Sequence, residues 1–545
     1  MQTFKLTPRR AKLLISVALI SFLVVFAVQK SFVENNDFWW RFSSPRTGIR
    51  QGELIVVHSA EPSGPAHKTL KVVHFDLKGA PPKMSYLRQL LPLLSNAGCD
   101  AILLEYEDMF PYHGLLANIS AKNAYKQHQV MDLLALIHDL GMEVIPLVQT
   151  FGHLEFVLKL EEFRHLRELD AFPQEVCPSN QDSLVLVYEM VRQVMALHRT
   201  SRYIHIGCDE VFHLGACSRC THRHVDSREI FAEYVTTVAE HIKSTYPGIT
   251  PLIWDDMMRQ WSPQFLTSTR LASLVEPVVW VYTDDIGKLV PHYVWHWYMK
   301  TFKSVWVAGA YKGATLSTSV LPDVRRHYNN QRAWIDFISK TPERISGFVL
   351  TGWSRYDHFA ILCELLPPSI PSLLLNLLLI TSKKPSKSEP IYKLWKSLMR
   401  CSPSSEMSID TFTTDPRSVG TCSFQGADAY ILMGNYLNLK ATVDKLHDSL
   451  TEKNGWMTYY NVKHNFTSPW RLVEDFTTLN GITLLKEVQL FKNETSYILS
   501  PYFDKHVVNE WIEQRIEPME MKLLLLQKQM ETLINIESWP RRPIN

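Results

Sequence analysis

The chain has 545 residues, of which 46% are hydrophobic and 21% charged, and this composition is typical of a globular protein with one large domain and room for a smaller one. The formal net charge of +2 gives no concentrated basic surface, so we expect no nucleic-acid partner. Eight cysteines are too few for a disulfide-stapled scaffold of this length.

The first predicted element is an apolar segment near the N-terminus. The run LLISVALISFLVVFAV at residues 13–28 follows four basic residues and is near the lower limit for spanning a bilayer. Because positive charge stays on the cytosolic side, we predict a cytosolic tail at 1–12, a transmembrane signal anchor at 13–29 and a stalk at 30–68. A cleaved signal peptide and a segment that does not insert are the alternatives.

The anchor would make the chain a single-pass type II membrane protein whose bulk is lumenal or extracellular. Three Asn-x-Ser/Thr sequons, at Asn118, Asn465 and Asn493, agree with translocation, although chance alone would place about that many in this length. A soluble protein of the cytosol or nucleus remains the alternative.

From residue 69 to 381, short β-branched runs alternate with amphipathic helical stretches. Eight such units favour a (β/α)8 (TIM) barrel, an α/β fold, and the continuous apolar strands fit parallel strands that are covered on both faces. An open doubly wound sheet is disfavoured, because no phosphate-binding glycine loop follows the first strand. The predicted strands lie at 70–76, 101–107, 143–149, 203–209, 250–256, 278–282, 304–310 and 347–353.

Polar and aromatic side chains follow nearly every predicted strand. In a barrel, the carboxyl ends of the strands meet at one face, where barrel enzymes carry out their chemistry. The sequence therefore predicts a functional site at that face, and its candidate residues are Asp76, Glu107, His153, Asp209, Glu210, Asp255, Tyr282 and Trp353.

The character of the sequence changes after residue 381. The segment TSKKPSKSEP is typical of a linker, and residues 428–535 have a helical pattern. We therefore predict a C-terminal, mainly helical region at 382–545.

Cys217, Cys220, His222 and His224 lie close together in HLGACSRCTHRH. Zinc binds these residue types, but a second cysteine pair at finger spacing is missing, so we predict no metal and no cofactor. A local disulfide and unpaired cysteines both remain open.

The adjacent acids Asp209 and Glu210 follow the strand YIHIGCD. Neighbouring side chains of a regular strand point to opposite faces, so these two can share a site only where the strand ends and the backbone turns. Gly207 permits a close backbone approach just before them. Burial disfavours ionisation of both carboxyls, and one acid with one base is a plausible outcome.

HIGCDEV resembles the His-x-Gly-x-Asp-Glu signature of glycoside hydrolase family 20, the β-N-acetylhexosaminidases. HFDLKGAPPK, EYEDMFPY, TFGHLEF, IWDDMM and TGWSRYDH are similar to motifs of the same family, over roughly residues 70–380. The resemblance implies an exo-acting enzyme that removes terminal GlcNAc or GalNAc from glycoconjugates, in a retaining reaction in which the substrate's acetamide oxygen is the nucleophile.

The resemblance also implies roles for individual residues. Glu210 would be the general acid and then the general base, and Asp209 would orient the acetamide and stabilise its positive charge. Tyr282, with Tyr311 as its rival, would bond the acetamide carbonyl. The implied aromatic wall is Trp254, Trp280, Trp306 and Trp353, the implied supports of the acid are His153 and Glu107, and the implied ligands of sugar hydroxyls are Asp76 and Asp255.

Two positions depart from the family pattern. Where lysosomal members carry an arginine near the first strand, this chain has Asp76 and Lys78, and where they carry Trp-x-Glu in the last strand, it has Trp353-Ser354-Arg355. These differences leave the choice between glucosamine and galactosamine open.

Two other functions compete with this interpretation. A catalytically inactive, membrane-tethered glycan-binding protein would not require the Asp209–Glu210 pair. A metal-dependent barrel hydrolase would require a His-x-His after the first strand or a bridging lysine, and VVHFDLKG provides neither. The oligomeric state stays open.

Overall fold

A closed barrel of eight parallel strands forms the centre of the molecule, in the order β1-β10-β9-β8-β7-β6-β3-β2. The structure is a computed structural model that describes residues 68–339, 344–382, 388–405, 408–409 and 416–544. The predicted (β/α)8 barrel is therefore confirmed. Its strands are β1 (Leu70–Asp76), β2 (Ala101–Glu105), β3 (Glu143–Leu147), β6 (Tyr203–His205), β7 (Thr250–Trp254), β8 (Glu276–Trp280), β9 (Val305–Lys312) and β10 (Ile345–Gly352).

Two strands outside the barrel were not predicted. β4 (Arg167–Leu169) and β5 (Phe172–Val176) pair antiparallel in the connection that follows β3. This hairpin, residues 167–176, is short and polar, so it lacks the apolar alternation by which strands are recognised in a sequence.

The barrel interior is filled by residues two apart along each strand. Val72 of β1, Leu103 of β2 and Leu252 of β7 belong to this interior cluster, while the residues between them pack outward against the helices. This follows from the period of two of an extended strand. The same alternation brings His74 and Glu105 together inside the barrel, where His74 Nε2 lies 3.0 Å from Glu105 Oε2.

Amphipathic helices surround the barrel, and several begin at a side chain that caps their first amide groups. Asn180 accepts a hydrogen bond from the amide of Asp182, and Asp226 accepts one from the amide of Arg228. The helices up to residue 381 are Met84–Asn96, Gln127–Asp139, Glu155–Leu158, Gln181–Leu197, Ser218–Thr221, Ser227–Thr245, Pro263–Ser268, Leu271–Leu274, Ile286–Leu289, His292–Thr301, Val324–Ile338 and Ile370–Thr381, with 3-10 turns at Glu107–Met109, Gly114–Ile119, Glu161–Leu166 and Pro367–Ser369.

The C-terminal region is helical where it is described. Its helices are Ser388–Leu398, Ala427–Asp448, Tyr459–His464, Pro469–Thr478, Gly481–Leu499, Lys505–Arg515 and Glu517–Ile534, with a 3-10 turn at Pro416–Thr421 and a π-helical turn at Ser449–Lys453. These helices belong to the same compact unit as the barrel, His67–Asn545. A disulfide joins Cys401 to Cys422, and the other six cysteines, including Cys217 and Cys220, are free thiols.

The predicted tail, signal anchor and stalk at 1–68 lie outside the described residues, apart from Lys68. Within the described part of the chain, no helix combines the length and apolar character that crossing a bilayer requires. The apolar helix Ile370–Thr381 is buried inside the protein.

Candidate active site

The loop after β6 carries the adjacent acids. β6 ends at His205, four residues earlier than predicted, because the backbone turns at Gly207 (φ 67°) and Cys208 (φ 71°). An added Cβ at Gly207 would lie 1.8 Å from Gln149 Oε1, and the left-handed backbone at this position favours glycine. Glu210 is also left-handed (φ 51°), and strain of this kind is often found at functional sites.

A cleft at the mouth of the barrel opens above these acids. Its volume is about 850 Å³ including the part open to solvent. The cleft brings together residues from the carboxyl ends of all eight barrel strands or the loops that follow them, as expected for a TIM-barrel active site. Its lining consists of Lys78, Glu105, Gln149, His153, Asp209, Glu210, Trp254, Trp280, Tyr282, Gly313, Ala314, Trp353, Arg355 and Tyr356.

The two carboxylates have different surroundings within this cleft. The side chain of Asp209 is 11% exposed and that of Glu210 is 39% exposed. Asp209 Oδ1 is buried and has no hydrogen-bond partner among the described residues. An acceptor in this state is available to a ligand donor, since a buried polar atom without a partner is costly.

His153 lies between the two acids and contacts both. Its Nε2 is 3.4 Å from Asp209 Oδ2 and 3.3 Å from Glu210 Oε2. Burial acts to lower the pKa of His153, but the charge of Asp209 and hydrogen bonds to both acids raise it well above the ordinary value of 6.5. A protonated His153 therefore places a positive charge next to both carboxyl groups.

Asp256 is a site residue that sequence analysis missed. Its Oδ2 accepts a hydrogen bond of 3.0 Å from the amide of Glu210, and its Oδ1 accepts one of 3.2 Å from Trp280 Nε1. Burial, followed by the charge of Asp209, raises the pKa of Asp256 from 3.8 to about 7. The alternation of side chains along a strand could have identified it. Residue 256 is two positions after Trp254 and therefore on the same face, whereas the predicted Asp255 is on the opposite face.

The predicted ligand Asp255 points away from the cleft, which corrects the expectation that it binds a sugar hydroxyl. It is fully buried and forms two hydrogen bonds with Arg259, of 2.5 and 2.8 Å. The ion pair of Asp255 with Arg259 therefore stabilises the segment that follows β7.

Aromatic residues form part of the cleft wall. The rings of Trp254 and Trp353 lie 5.8 Å apart, and those of Trp280 and Tyr282 stack at 5.2 Å. Trp353 Nε1 donates a 3.0 Å hydrogen bond to the Tyr282 hydroxyl. Trp254 Nε1 is buried without a partner in the part of the chain that the structure describes, so it can donate to a ligand.

Trp306 does not line the cleft, and the expectation that it does is corrected. It is the second residue of β9, and its Nε1 donates 2.7 Å to Glu276 Oε2 at the start of β8. Its ring packs on Tyr203 at the start of β6. It therefore fills the barrel at the end opposite to the mouth.

Tyr311, the rival of Tyr282, also lies away from this cleft. It is fully buried, and its hydroxyl donates a 3.2 Å hydrogen bond to the carbonyl of His74. Of the two tyrosines, only Tyr282 lines the cleft.

Lys78 lines the same cleft as the adjacent acids and lies within a group of buried carboxylates. Its Nζ is 3.1 Å from Asp76, 3.6 Å from Glu105 and 3.4 Å from Glu107, and it lies 5.2 Å from the ring centre of Trp353. Burial acts to lower the pKa of Lys78, but the three carboxylates raise it well above its ordinary value. Lys78 is therefore a fixed positive charge in the lining.

Asp76 and Glu107 support Lys78 and are absent from the cleft lining. Asp76 Oδ2 also accepts a 2.7 Å hydrogen bond from the amide of Ser354, which corrects its predicted contact with a sugar hydroxyl. Glu107 bonds His358 Nδ1 at 3.0 Å and contacts neither acid, which corrects its predicted support of Glu210. Burial and neighbouring carboxylates raise the pKa of Glu107 to about 8, against the opposing effect of Lys78.

The sequence of the chain matches known proteins over most of its length. Residues 90–283 match the profile of the family described as "Glycosyl hydrolase family 20, catalytic domain". The human protein named Hexosaminidase D is 36% identical over 491 residues, which cover 88% of this chain and 98% of that protein. The protein of the same name from Bos taurus is 44% identical over 310 residues, covering 56% of this chain and 90% of that protein.

Solved structures also resemble the fold. The crystal structure of beta-N-acetylhexosaminidase from Bacteroides fragilis NCTC 9343 aligns with a TM-score of 0.43 and 16% identity, over 57% of this chain and 65% of that chain. A likeness of this size carries no argument about the site.

Proposed function

This chain belongs to glycosyl hydrolase family 20, with the hexosaminidase D proteins among its relatives, and on that premise we propose that it is an exo-acting β-N-acetylhexosaminidase that uses substrate-assisted, retaining hydrolysis. Its substrates would be glycoconjugates that end in GlcNAc or GalNAc. The observation that carries the proposal is the pair of adjacent acids at the barrel mouth, one buried with a free acceptor and the other open to the cleft.

In the first step, the acetamide oxygen of the terminal sugar attacks the anomeric carbon as the bond to the leaving oxygen breaks. Glu210 gives its proton to that oxygen, which suits the more exposed of the two carboxyls. Asp209 Oδ1 accepts the acetamide N–H and stabilises the positive charge of the oxazolinium intermediate.

The Tyr282 hydroxyl would hold the acetamide carbonyl. It already accepts from Trp353 Nε1, which leaves its own proton for the carbonyl oxygen. Trp254, Trp280 and Trp353 would surround the acetyl methyl group and one face of the sugar.

In the second step, water attacks the anomeric carbon and Glu210 takes a proton from it. The acetamide is released unchanged, and two inversions retain the configuration. Lys78 and Arg355, on the same cleft, would bind sugar hydroxyls in place of the groups that lysosomal members use.

Glu210→Gln tests the assignment of the acid. Hydrolysis of the 4-nitrophenyl β-glycosides of GlcNAc and GalNAc should lose about 10²- to 10⁴-fold in kcat/KM, because glutamine cannot transfer the proton. Glu161→Gln is the control, since that side chain is 86% exposed on the surface, and it should keep wild-type rates. Equal turnover by Glu210→Gln and wild type would remove Glu210 from the reaction, and a wild type that binds GlcNAc without hydrolysing it would point to a glycan-binding protein.

We also propose that the catalytic barrel is lumenal or extracellular and is held by the N-terminal segment at 13–29. The sequence of that segment and the three sequons support this location. Glycosidase-sensitive mobility of the expressed protein tests it.

A further inference from the structure

A second group of reactive side chains lies outside the cleft. Glu168 of β4, Cys177 immediately after β5, and Cys217 and Cys220 of the loop after β6 each offer one ligand atom, and these four atoms lie within 4.8 Å of one another. Glu168, Cys177 and Cys220 are buried and Cys217 is half-buried. We propose that this group, the Cys3Glu cluster, binds a structural zinc ion.

The spacing of the sulfur atoms fits a tetrahedral metal. Cys177 Sγ lies 3.4 Å from Cys217 Sγ and 3.8 Å from Cys220 Sγ. Zinc bound at about 2.3 Å from each thiolate separates the sulfurs of a tetrahedron by about 3.8 Å. A disulfide requires about 2.05 Å, so the observed spacing belongs to separate thiol groups around a common centre.

Glu168 supplies the fourth ligand and is held in place for it. Its Oε1 accepts a 2.9 Å hydrogen bond from the Cys217 amide, and its Oε2 lies 3.4 Å from Cys220 Sγ. This carboxylate is 3% exposed, and no lysine, arginine or histidine of the described residues forms an ion pair with it. A buried carboxylate beside three thiolates is a donor set that zinc binds.

The segment from 217 to 220 begins the short helix Ser218–Thr221, and Cys217 is the N-cap of that helix. The Cys220 amide lies 3.4 Å from Cys217 Sγ, and a sulfur that accepts from the backbone is stabilised as a thiolate. His222 and His224, the other residue types in this loop that zinc accepts, are exposed and stand outside the cluster. The ligands thus come from two distant parts of the sequence, which is why cysteine spacing alone predicted no metal.

The ion would fasten the β4–β5 hairpin to the loop that follows Glu210. The two segments already meet at His213, whose Nδ1 lies 3.0 Å from Glu175 Oε2 and whose ring stacks on Phe172. Zinc would add a bond seven to ten residues beyond the proposed general acid, so its role is to position the loop and not to take part in hydrolysis.

Metal analysis of the full-length chain, purified after expression with added zinc, tests the proposal. We expect about one zinc per chain by mass spectrometry of the metal, released by a chelator with a fall in melting temperature. Cys217→Ser, at the half-buried position, should lose the zinc, and Cys99→Ser, at a buried thiol elsewhere in the barrel, should keep it.

Cobalt substitution tests the wild-type protein directly. The proposal can therefore be tested even if Cys217→Ser does not fold. Tetrahedral Co²⁺ in the cluster should give strong visible d–d bands and thiolate charge-transfer absorption in the near ultraviolet. Wild-type protein with less than about 0.1 zinc per chain and no cobalt spectrum would overturn the proposal, as would a disulfide among the three cysteines in peptide mapping.

Discussion

At the scale of single residues, the site depends on how charge is distributed around two adjacent carboxyls. His153 is held protonated by Asp209 and Glu210, while Asp256, with its pKa raised to about 7, supports Glu210 through the backbone amide. The two acids can therefore stay next to each other with only one of them strongly buried. Two carboxyl groups can take different roles, one as the acid and one as the stabiliser of charge, only if their surroundings differ.

A second group of charged residues surrounds Lys78, and it consists of one lysine among several buried carboxyls. Burial acts to raise the pKa of Glu105, but Lys78 and His74 lower it to about 2, whereas that of Glu107 is raised to about 8. One lysine is thus shared among three carboxylates, and Asp76, whose Oδ2 accepts a 3.1 Å hydrogen bond from Lys78 Nζ, is the nearest of them. These carboxylates hold the positive charge of Lys78 in the cleft lining.

At the scale of elements, the site depends on a close approach between the loops after β3 and β6. A Cβ added at Gly152 would lie 2.2 Å from the carbonyl oxygen of Asp209, and a backbone atom cannot move aside as a flexible side chain can. The position of Asp209 is therefore set by a glycine that takes no part in the chemistry.

Gly152→Ala should displace Asp209 and lower kcat/KM by up to about 100-fold, since a misplacement of about 1 Å has effects of that size. Overpacking should also destabilise the protein by about 1–3 kcal/mol. Gly287→Ala is the matched control, because its added Cβ meets no atom within 4 Å outside its chain neighbours and its own helix. It should leave the kinetics unchanged and should not lower the melting temperature. If Gly152→Ala keeps wild-type kcat/KM with both nitrophenyl substrates, the loop contact does not position Asp209.

Much of this element-scale organisation could be predicted from the sequence. Continuous apolar runs and helical crossovers were sufficient for the barrel. The strand ends named five residues that line the cleft, His153, Asp209, Glu210, Tyr282 and Trp353, and the family resemblance added Trp254 and Trp280. Trp306 was misassigned because its position near the start of β9 places it at the closed end of the barrel. Asp255 was misassigned because side chains alternate between two faces, and Asp256 is on the same face as the cleft-lining Trp254.

The contacts that could not be predicted join parts of the chain that are far apart in sequence. Arg355 of the cleft lining bonds Glu510, which is 155 residues away in the sequence, and no local pattern reports that contact. The Cys3Glu cluster likewise depends on an unpredicted hairpin. The hydrophobic pattern of a short sequence segment indicates which face of a helix or strand is buried. It does not indicate which distant loop packs against that face.

At the scale of the whole molecule, the C-terminal helices brace the barrel mouth. Arg355 Nη2 lies 2.5 Å from Glu510 Oε1 of helix Lys505–Arg515. Arg515 of the same helix donates to the carbonyls of Thr318 and Leu362, in the loops after β9 and β10. The region that the sequence marked only as helical therefore holds one wall of the cleft.

The proposed lumenal location predicts N-glycans at Asn118, Asn465 and Asn493, whose side chains are all exposed. Removal of N-glycans from protein expressed in mammalian cells should increase its mobility in gel electrophoresis, and each Asn→Gln change should reduce the shift. Asn438→Gln, at an exposed asparagine outside any sequon, should leave the shift unchanged. A protein whose mobility is insensitive to the glycosidase would contradict the lumenal location.

The central claim is that the sugar's own acetamide is the nucleophile and that Asp209 supports it. The most direct measurement is kcat/KM for aryl β-glucosaminides whose N-acetyl group carries zero to three fluorine atoms, with wild type and Asp209→Asn. We predict a steep fall with each fluorine in the wild type, because fluorine weakens the carbonyl oxygen as a nucleophile, and a loss of about 10²- to 10³-fold for Asp209→Asn with the N-acetyl substrate. Rates that are independent of fluorination, or an Asp209→Asn enzyme as active as wild type, would contradict the account.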